Sequence, residues 1–196
     1  MPTGTEWRGN FAVPRELSLR RTAQGLTLVQ QPVPELRKLG KEALNLKNQP
    51  LPSGATGFEL PFRGESYDLE LTLTPGQAKS LTLNVLQSDT ERTSLRYDVA
   101  RQELTLDRTK SGNVGFNPLF ASTLETAHVP LQNGQLQLRL LVDKSVVEVF
   151  AQNGEKTLTD LVFPKQHSGR ISLTAEGGAA QITGLHLTNL GQAVTP

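Results

Sequence analysis

The sequence contains no cysteine and few aromatic residues, and both shortages limit the chemistry open to it. Without cysteine in 196 residues, the chain cannot form disulfides, thiolate metal sites or a cysteine nucleophile. Aromatic residues make up 5% of the chain, with a single tryptophan. We therefore expect most aromatic side chains to be used in the hydrophobic core.

Excess charge and long apolar runs are also missing. The formal net charge is +1, from 20 basic and 19 acidic residues. This balance gives no electrostatic basis for binding nucleic acid or an anionic membrane, and no apolar run approaches the roughly 20 residues of a spanning helix. The first ten residues lack the apolar core of a signal peptide. Cytosolic residence, prior removal of a leader and an excised domain all fit that observation.

The stretch from Leu136 to Pro164 contains three strand-like runs separated by two tight reversals. Apolar and polar residues alternate from Leu136 onward, as a half-buried strand requires. Asp143–Ser145 interrupts this run, and Asn153-Gly154 tolerates the positive φ angles of a hairpin turn. Pro164 removes a backbone donor and ends the third run. The pattern predicts a three-stranded antiparallel meander.

The remainder of the chain predicts regularly spaced strands and almost no helix. Strand signals recur about every ten residues from Ser66 onward, which is typical of an all-β sandwich or barrel. These runs are Tyr67–Thr74, Ser80–Leu86, Ser94–Val99, Glu103–Asp107, Leu124–Pro130, Arg170–Ala175 and Gln181–Leu187. A hairpin is predicted around Gln24-Gly25, one helical turn at Glu35–Leu39, and a loop from Gln49 to Ser66. We predict an all-β, two-sheet antiparallel β-sandwich of the jelly-roll or concanavalin-like type, with at most one short helix.

Two carboxylates of the meander are candidates for hydrolytic chemistry. A glycosidase uses two carboxyl groups about 5 Å or 6.5–9.5 Å apart, and Glu148 and Asp160 lie on adjacent predicted strands. The alternative is that both are solvated or satisfy hairpin ends. The three histidines, His128, His167 and His186, are not near a nucleophile elbow. No ligand spacing for a metal occurs, so no metal site and no cofactor are expected.

Sugar binding is a separate possibility that depends on exposed aromatic residues. The candidates for a stacking ring are Trp7, Tyr67, Tyr97 and Phe116. The alternative for each is a place in the hydrophobic core.

The second strand of the meander is apolar on both faces. Val146, Glu148 and Phe150 share one face, and Val147 and Val149 share the other. A strand that is apolar on both sides is covered on both sides. We therefore predict that Val146, Glu148 and Phe150 face another domain. The prediction is wrong if Phe150 lies between the two sheets.

Several motifs together resemble a known family. They are VDKSVVEVFAQNGEKTLTDLVFP ending at Pro164, Trp7-Arg8-Gly9 with Pro14–Leu19, Tyr97-Asp98, and Leu104–Arg108 with Ser111-Gly112. In this order and spacing they resemble the C-terminal β-sandwich of glycoside hydrolase family 32, the invertases, inulinases and levanases that hydrolyse β-fructosides. The resemblance covers nearly the whole chain.

The resemblance implies a domain without the catalytic machinery. Members of the family have a five-bladed β-propeller followed by the sandwich, and their catalytic acids lie in Asn-Asp-Pro-Asn-Gly-like, Arg-Asp-Pro and Glu-Cys motifs of the propeller. This sequence contains no Asp-Pro and no cysteine, so no catalytic residue is carried over. The implied role is to stabilise the propeller of a secreted enzyme acting on sucrose, inulin or levan, with oligomerisation or fructan contact as further roles.

The resemblance also suggests domain limits and partners. Residues 1–14 are expected to be a remnant of the last propeller strand with its linker, 15–190 the sandwich, and 191–196 a tail. An orphan edge strand exposes unpaired backbone groups, so residues 1–14 are expected to be disordered, to fold back, or to pair with another chain in a homo-oligomer. Two alternatives stay open, namely a free-standing fructan-binding module and one half of a split enzyme with the propeller as a separate chain.

Overall fold

The computed structural model describes residues 10–22, 25–54, 57–165 and 167–191. Its strands are β1 Arg15–Thr22, β2 Gly25–Pro32, β3 Gly40–Leu51, β4 Phe58–Arg63, β5 Ser66–Thr74, β6 Ser80–Gln87, β7 Thr93–Asp98, β8 Glu103–Asp107, β9 Glu125–His128, β10 Leu136–Asp143, β11 Val146–Ala151, β12 Lys156–Leu161, β13 Arg170–Glu176 and β14 Ala180–Leu190. A 3-10 helix at Pro34–Leu39 is the one helix among the described residues.

Two six-stranded antiparallel sheets form the body of the molecule. The first has the order β12-β11-β10-β5-β14-β3, and the second has the order β4-β13-β6-β7-β8-β9. Side chains alternate between the two faces of a strand, so the leucines at alternate positions of β5 and β10 point between the sheets and are buried. The predicted antiparallel β-sandwich is confirmed.

The core between the sheets is made mostly of leucine and valine, with two tyrosines among them. Tyr67 and Tyr97 are 0% and 1% exposed. The ring of Tyr67 packs edge-on against Phe62, and Tyr97 Oη donates a hydrogen bond of 2.8 Å to the carbonyl oxygen of Val129. The scarce aromatic residues are thus used partly to fill this core, where their large area contributes most to burial.

The predicted meander is confirmed as β10, β11 and β12. β11 pairs with β10 on one side and with β12 on the other, both antiparallel. The first reversal has Lys144 at φ +49°, and the second has Asn153 at φ +56° and Gly154 at φ +84°. Asparagine and glycine are the residues that adopt this left-handed region most readily, which is why the turn was visible in the sequence.

Two strands with an internal proline reach into the expected loop from Gln49 to Ser66, which is therefore wrong in part. β3 extends to Leu51 and includes Pro50, while β4 occupies Phe58–Arg63 and includes Pro61. β3 and β4 are each the last strand of a sheet. Proline is tolerated on an edge strand because one row of backbone groups has no ladder partner there.

The predicted N-terminal hairpin is confirmed, but it stands apart from both large sheets. β1 and β2 pair along their full length, with Arg15 opposite Pro32 and Thr22 opposite Gly25. They form a two-stranded sheet of their own. An isolated hairpin is marginally stable in water, so its contacts with the sandwich decide whether it stays in place.

Candidate functional site

The outer face of β11 carries the three residues predicted to face another domain. Val147 and Val149 belong to the core between the sheets, so Val146, Glu148 and Phe150 point the opposite way. Glu148 and Phe150 are both 2% exposed. Phe150 therefore lies on the outside of the sandwich and is nevertheless covered.

The cover is this chain's own N-terminal segment. The guanidinium of Arg15 lies 4.9 Å from the centre of the Phe150 ring. Arg15 Nη2 also lies 2.5 Å from Glu148 Oε2, and the backbone N–H of Val13 donates to Glu148 Oε1 at 2.8 Å. No second domain is needed to bury Phe150, so the burial of this ring is not by itself evidence of a domain contact.

Glu148 acts as the buried anchor of the hairpin. Each of its carboxylate oxygens accepts one hydrogen bond, from Val13 and from Arg15. Arg15 also donates to Gln30 Oε1 at 3.0 Å and to Thr159 Oγ1 at 3.2 Å. A buried ion pair contributes little net stability compared with an apolar substitute, but losing one partner is costly. The pair therefore specifies where the hairpin sits.

Residues 10–14, the described part of the predicted propeller remnant, follow the sandwich rather than extend away from it. Val13 is held by Glu148, and the carbonyl oxygen of Pro14 accepts a hydrogen bond of 3.1 Å from Val33. Among the three alternatives for this segment, its described part folds back. Residues 1–9, which include Trp7, lie outside the described residues.

A second anchor forms at the turn between β11 and β12. The backbone N–H of Gln30 donates to the carbonyl oxygen of Gly154 at 3.0 Å. Gln31 Nε2 donates to the carbonyl oxygen of Asn153 at 2.8 Å, and Arg20 pairs with Glu155 at 2.8 Å. A Cβ atom on Gly154 would lie 2.0 Å from the carbonyl oxygen of Gln30. Only glycine allows β2 to approach this closely.

Gly154→Ala is expected to loosen the hairpin and to cost more stability than the same change at Gly134. Both glycines have positive φ, +84° and +73°, but a Cβ on Gly134 meets nothing within 4 Å. Gly134→Ala therefore carries the left-handed strain alone, about 1 kcal/mol. Gly154→Ala adds the clash, and urea titration should show a further loss of at least about 1 kcal/mol. Equal losses in the two variants would contradict the contact with β2.

The two candidate carboxylates do not meet. Asp160 lies opposite Val147 in the β11–β12 pairing, whereas Glu148 lies opposite Thr159. Residues opposite each other share a face, so Asp160 points inward and Glu148 points outward. Asp160 Oδ1 pairs with Arg108 Nη1 at 3.2 Å. The two carboxylates, candidates for hydrolytic chemistry in the sequence, therefore do not form a hydrolytic pair.

Asp160 is expected to make stability depend on pH. Burial raises the pKa of Asp160 to about 6, since it outweighs the lowering by Arg108, and Glu125 raises the pKa further. The folded state thus binds this proton more tightly than the unfolded state, where the pKa is about 3.9. The contribution of Asp160 to the free energy of unfolding should rise by about 2–3 kcal/mol as pH falls from 7 to 4.

The comparison with Asp160→Asn isolates this effect. The wild type should gain stability relative to the variant as pH falls through about 6, because the neutral amide has no proton to bind. Denaturant titrations of both proteins at several pH values measure the difference. A wild type that instead gains relative stability as pH rises would contradict the raised pKa.

Two of the candidate sugar-stacking rings, Tyr67 and Tyr97, are not available to a ligand. Tyr67 and Tyr97 lie in the core, so neither ring presents a face to solvent. Phe116 is half-buried in a cluster with Phe120 and Phe163. His186 lies at the surface, where its Nε2 atom is 3.0 Å from Glu42 Oε2.

Within the described ranges, the chain has neither a candidate metal site nor a helix able to span a membrane. No group of three or more histidine, aspartate or glutamate residues in that part of the chain could hold a metal ion. The described 3-10 helix is too short and too polar to cross a membrane.

Four exposed leucines lie on one face of the hairpin, which they share with Arg15, Arg21 and Gln30. They are Leu17, Leu19, Leu26 and Leu28, which are 65%, 68%, 64% and 48% exposed. Leu19 lies directly opposite Leu28 in the pairing of β1 with β2. We call these four residues the leucine face. The alternation of Leu17 and Leu19 in the sequence indicates a strand. The sequence does not reveal that these leucines stay exposed, which depends on how the rest of the described chain packs.

A family comparison explains where the hairpin stands relative to the sandwich. Residues 33–189 match the family model described as "Glycosyl hydrolases family 32 C terminal". The chain belongs to glycosyl hydrolase family 32. The match begins at Val33, directly after β2, so the sandwich is the C-terminal domain of family 32 and the hairpin precedes it.

Relatives in family 32 extend the likeness to the hairpin. The chain is 33% identical over 187 residues to a levanase of Bacillus subtilis (strain 168), covering 94% of this chain and 28% of that protein. It is 34% identical over 189 residues to an extracellular exo-inulinase of Aspergillus ficuum, covering 94% of this chain and 35% of that protein. The chain therefore spans about a third or less of these relatives.

A solved structure also resembles this chain over nearly its whole length. The crystal structure of exo-inulinase from Aspergillus awamori superimposes with a TM-score of 0.86 at 29% identity, covering 98% of this chain and 38% of the exo-inulinase chain. Because this likeness leaves only 2% of the chain out, it includes most of the hairpin as well as the family 32 sandwich.

Proposed function

We propose that this chain is the non-catalytic sandwich domain of a β-fructosidase and that it stabilises the catalytic domain of that enzyme. The membership of residues 33–189 in the C-terminal part of family 32 carries the proposal. Relatives named levanase, exo-inulinase and sucrose-6-phosphate hydrolase are all longer than this chain. A hydrolase acting on sucrose, inulin or levan is therefore the class of enzyme to which we assign the domain.

The settings of the meander carboxylates support the non-catalytic part of the proposal. Glu148 is buried, and its two carboxylate oxygens accept hydrogen bonds from Val13 and Arg15. Asp160 is buried on the opposite face with Arg108. A glycosidase needs its two carboxyl groups on either side of one sugar, and neither residue is free to take that position.

We assign the contact with the catalytic domain to the leucine face rather than to Val146, Glu148 and Phe150. Glu148 and Phe150 lie beneath Val13 and Arg15, whereas the leucine face is open. Four clustered leucines at the surface are typical of a site that another protein covers. The backbone edge of β1 that points away from β2 has no strand partner among the described residues, which suits pairing with a further strand.

We place the domain boundary at Val33 rather than at residue 15. The initial expectation assigned residues 1–14 to the propeller and 15–190 to the sandwich. The start of the family match at Val33 and the separate sheet of β1 and β2 favour a boundary at Val33. In this proposal the hairpin is the connecting element, anchored to the sandwich through Glu148 and Gly154 and to the catalytic domain through its leucines.

Hydrolysis assays on the purified chain test the non-catalytic part. We expect no release of fructose from sucrose, inulin or levan. The matched variant is Glu148→Gln, because it removes the charge and keeps the shape. Fructose release by the wild type that this variant abolishes would overturn the proposal, since Glu148 would then act in catalysis.

A further inference from the structure

A small polar groove lies between the hairpin and the outer face of the first sheet. Its volume is about 200 Å³. Its floor includes Glu70 of β5 with Gln137 and Arg139 of β10, and its walls include Arg37 of the 3-10 helix and Asn153 of the β11–β12 turn. The end of β2 forms part of its rim through Gln31 and Pro32.

The charges around the groove balance. Arg139 donates to both oxygens of the buried Asp68, at 3.0 Å and 2.7 Å. Glu70 lies 3.3 Å from Arg37 and 3.8 Å from Arg139. Two guanidinium groups thus face two carboxylates, so the groove has no net charge with which to select an anion or a cation.

The groove is rich in planar hydrogen-bonding groups. The amide groups of Gln137 and Asn153 contact each other at 2.6 Å. Burial lowers the pKa of Arg139, but the hydrogen bond and charge of Asp68 outweigh it, so the pKa is raised and the guanidinium stays charged. Amide, guanidinium and carboxylate groups with fixed orientation suit neighbouring hydroxyls, each of which both donates and accepts.

We infer that this groove binds one neutral sugar ring, a fructosyl unit of a fructan or of sucrose. The balanced charge favours a neutral ligand, and the polar lining favours one rich in hydroxyls. The volume is below the 300–1,000 Å³ typical of pockets for drug-sized ligands, which fits a single ring. The choice of fructose among the sugars rests on the proposed function, whereas the size and neutrality of the ligand rest on the groove itself.

The site differs from the sugar-binding residues expected from the sequence. Those candidates were aromatic rings, and the ring at this groove, Phe150, is 2% exposed and lies under Arg15. Recognition here would come from hydrogen bonds alone. A single ring held in this way is expected to bind weakly, with a Kd on the order of 1 mM.

Titration of the full ¹⁵N-labelled chain, followed by NMR, tests the inference. The probes are fructose and 1-kestose, with glucose and fructose 6-phosphate as comparisons. Fructose and 1-kestose should give saturable shifts of the side-chain amides of Gln137 and Asn153. The phosphorylated sugar should bind more weakly, since the groove offers no excess positive charge.

The chain offers a matched pair of variants. Arg37→Ala breaks the exposed ion pair of Arg37 with Glu70 at the groove. Arg63→Ala is the control, because it breaks an exposed ion pair with Glu59 on the second sheet, away from the groove. The two arginine side chains are 70% and 73% exposed, at 3.3 Å and 3.6 Å from their partners. Both variants should fold, because such pairs contribute little to stability.

We expect Arg37→Ala to weaken fructose binding at least about tenfold, the loss of one hydrogen bond to a charged group, and Arg63→Ala to leave it unchanged. No saturable shift, shifts confined to another surface, equal losses in both variants, or glucose or fructose 6-phosphate binding as tightly as fructose would each overturn the inference. None of these results bears on the stabilising role, because that role is measured on a catalytic domain rather than on sugar binding.

Discussion

Replacing Glu148 by alanine is expected to lower the free energy of unfolding by about 3 kcal/mol and to release the hairpin from the sandwich. The variant leaves Arg15 beside Phe150 without a counter-charge and removes the acceptor for the N–H of Val13. Breaking a buried pair by removing one partner typically costs 3–5 kcal/mol. Arg15 keeps some access to solvent, which places the expected loss at the lower end.

Hydrogen exchange separates hairpin release from general unfolding. The amide of Gln30 is protected by the carbonyl oxygen of Gly154, and this protection should fall in Glu148→Ala while the amides of β10 stay protected. Glu59→Ala is the control, because Glu59 forms an exposed pair with Arg63 and should change stability by less than about 1 kcal/mol. An unchanged Gln30 amide in Glu148→Ala would contradict the anchoring role.

Placing two positive charges on the leucine face is expected to disable an enzyme that depends on this domain. The test protein is a chimera in which this chain replaces the aligned segment of the Bacillus subtilis levanase. Leu17→Lys with Leu19→Lys should lower its levanase activity at least about tenfold, because unpaired charges buried in an apolar contact cost more than the 1.4 kcal/mol of a tenfold change. Rates of fructose release from levan measure the loss.

The isolated chain provides the internal check for that prediction. Leu17 and Leu19 are exposed in it, so the double variant should change its free energy of unfolding by no more than about 0.5 kcal/mol. Leu119→Lys is the control in the chimera, since Leu119 is also exposed but lies in the loop before β9. Equal activity of the double variant and the control would show that the leucine face does not contact the catalytic domain.

The strands that sequence reasoning found are those with local signals. β8 has the predicted limits, and the turn at Asn153-Gly154 follows from residues that tolerate positive φ. β4 and the end of β3 were placed in a loop because proline is a loop signal wherever the strand's position in its sheet is unknown. Pro50 and Pro61 are acceptable only because their strands are edges, and edge position depends on the whole sheet order.

The candidate site depended on contacts between distant parts of the chain. The pattern of β11 predicted correctly that its outer face is covered, but Arg15 and Glu148 are 133 positions apart, and no local pattern identifies such a partner. The pairing of Asp160 with Val147 depends on the number of residues in the turn. A one-residue shift of register would have moved Asp160 to the outer face, so the two carboxylates could not be assigned to a face from the sequence alone.

We propose that the chain stabilises a family 32 catalytic domain without taking part in the reaction. The unsubstituted chimera, compared with a levanase lacking the aligned segment, tests this most directly through levan hydrolysis and melting temperature. We predict that the chimera is folded and hydrolyses levan, and that the shortened levanase melts at a lower temperature and loses activity. Equal melting temperatures and equal activities in the two proteins would show that the chain does not stabilise the catalytic domain.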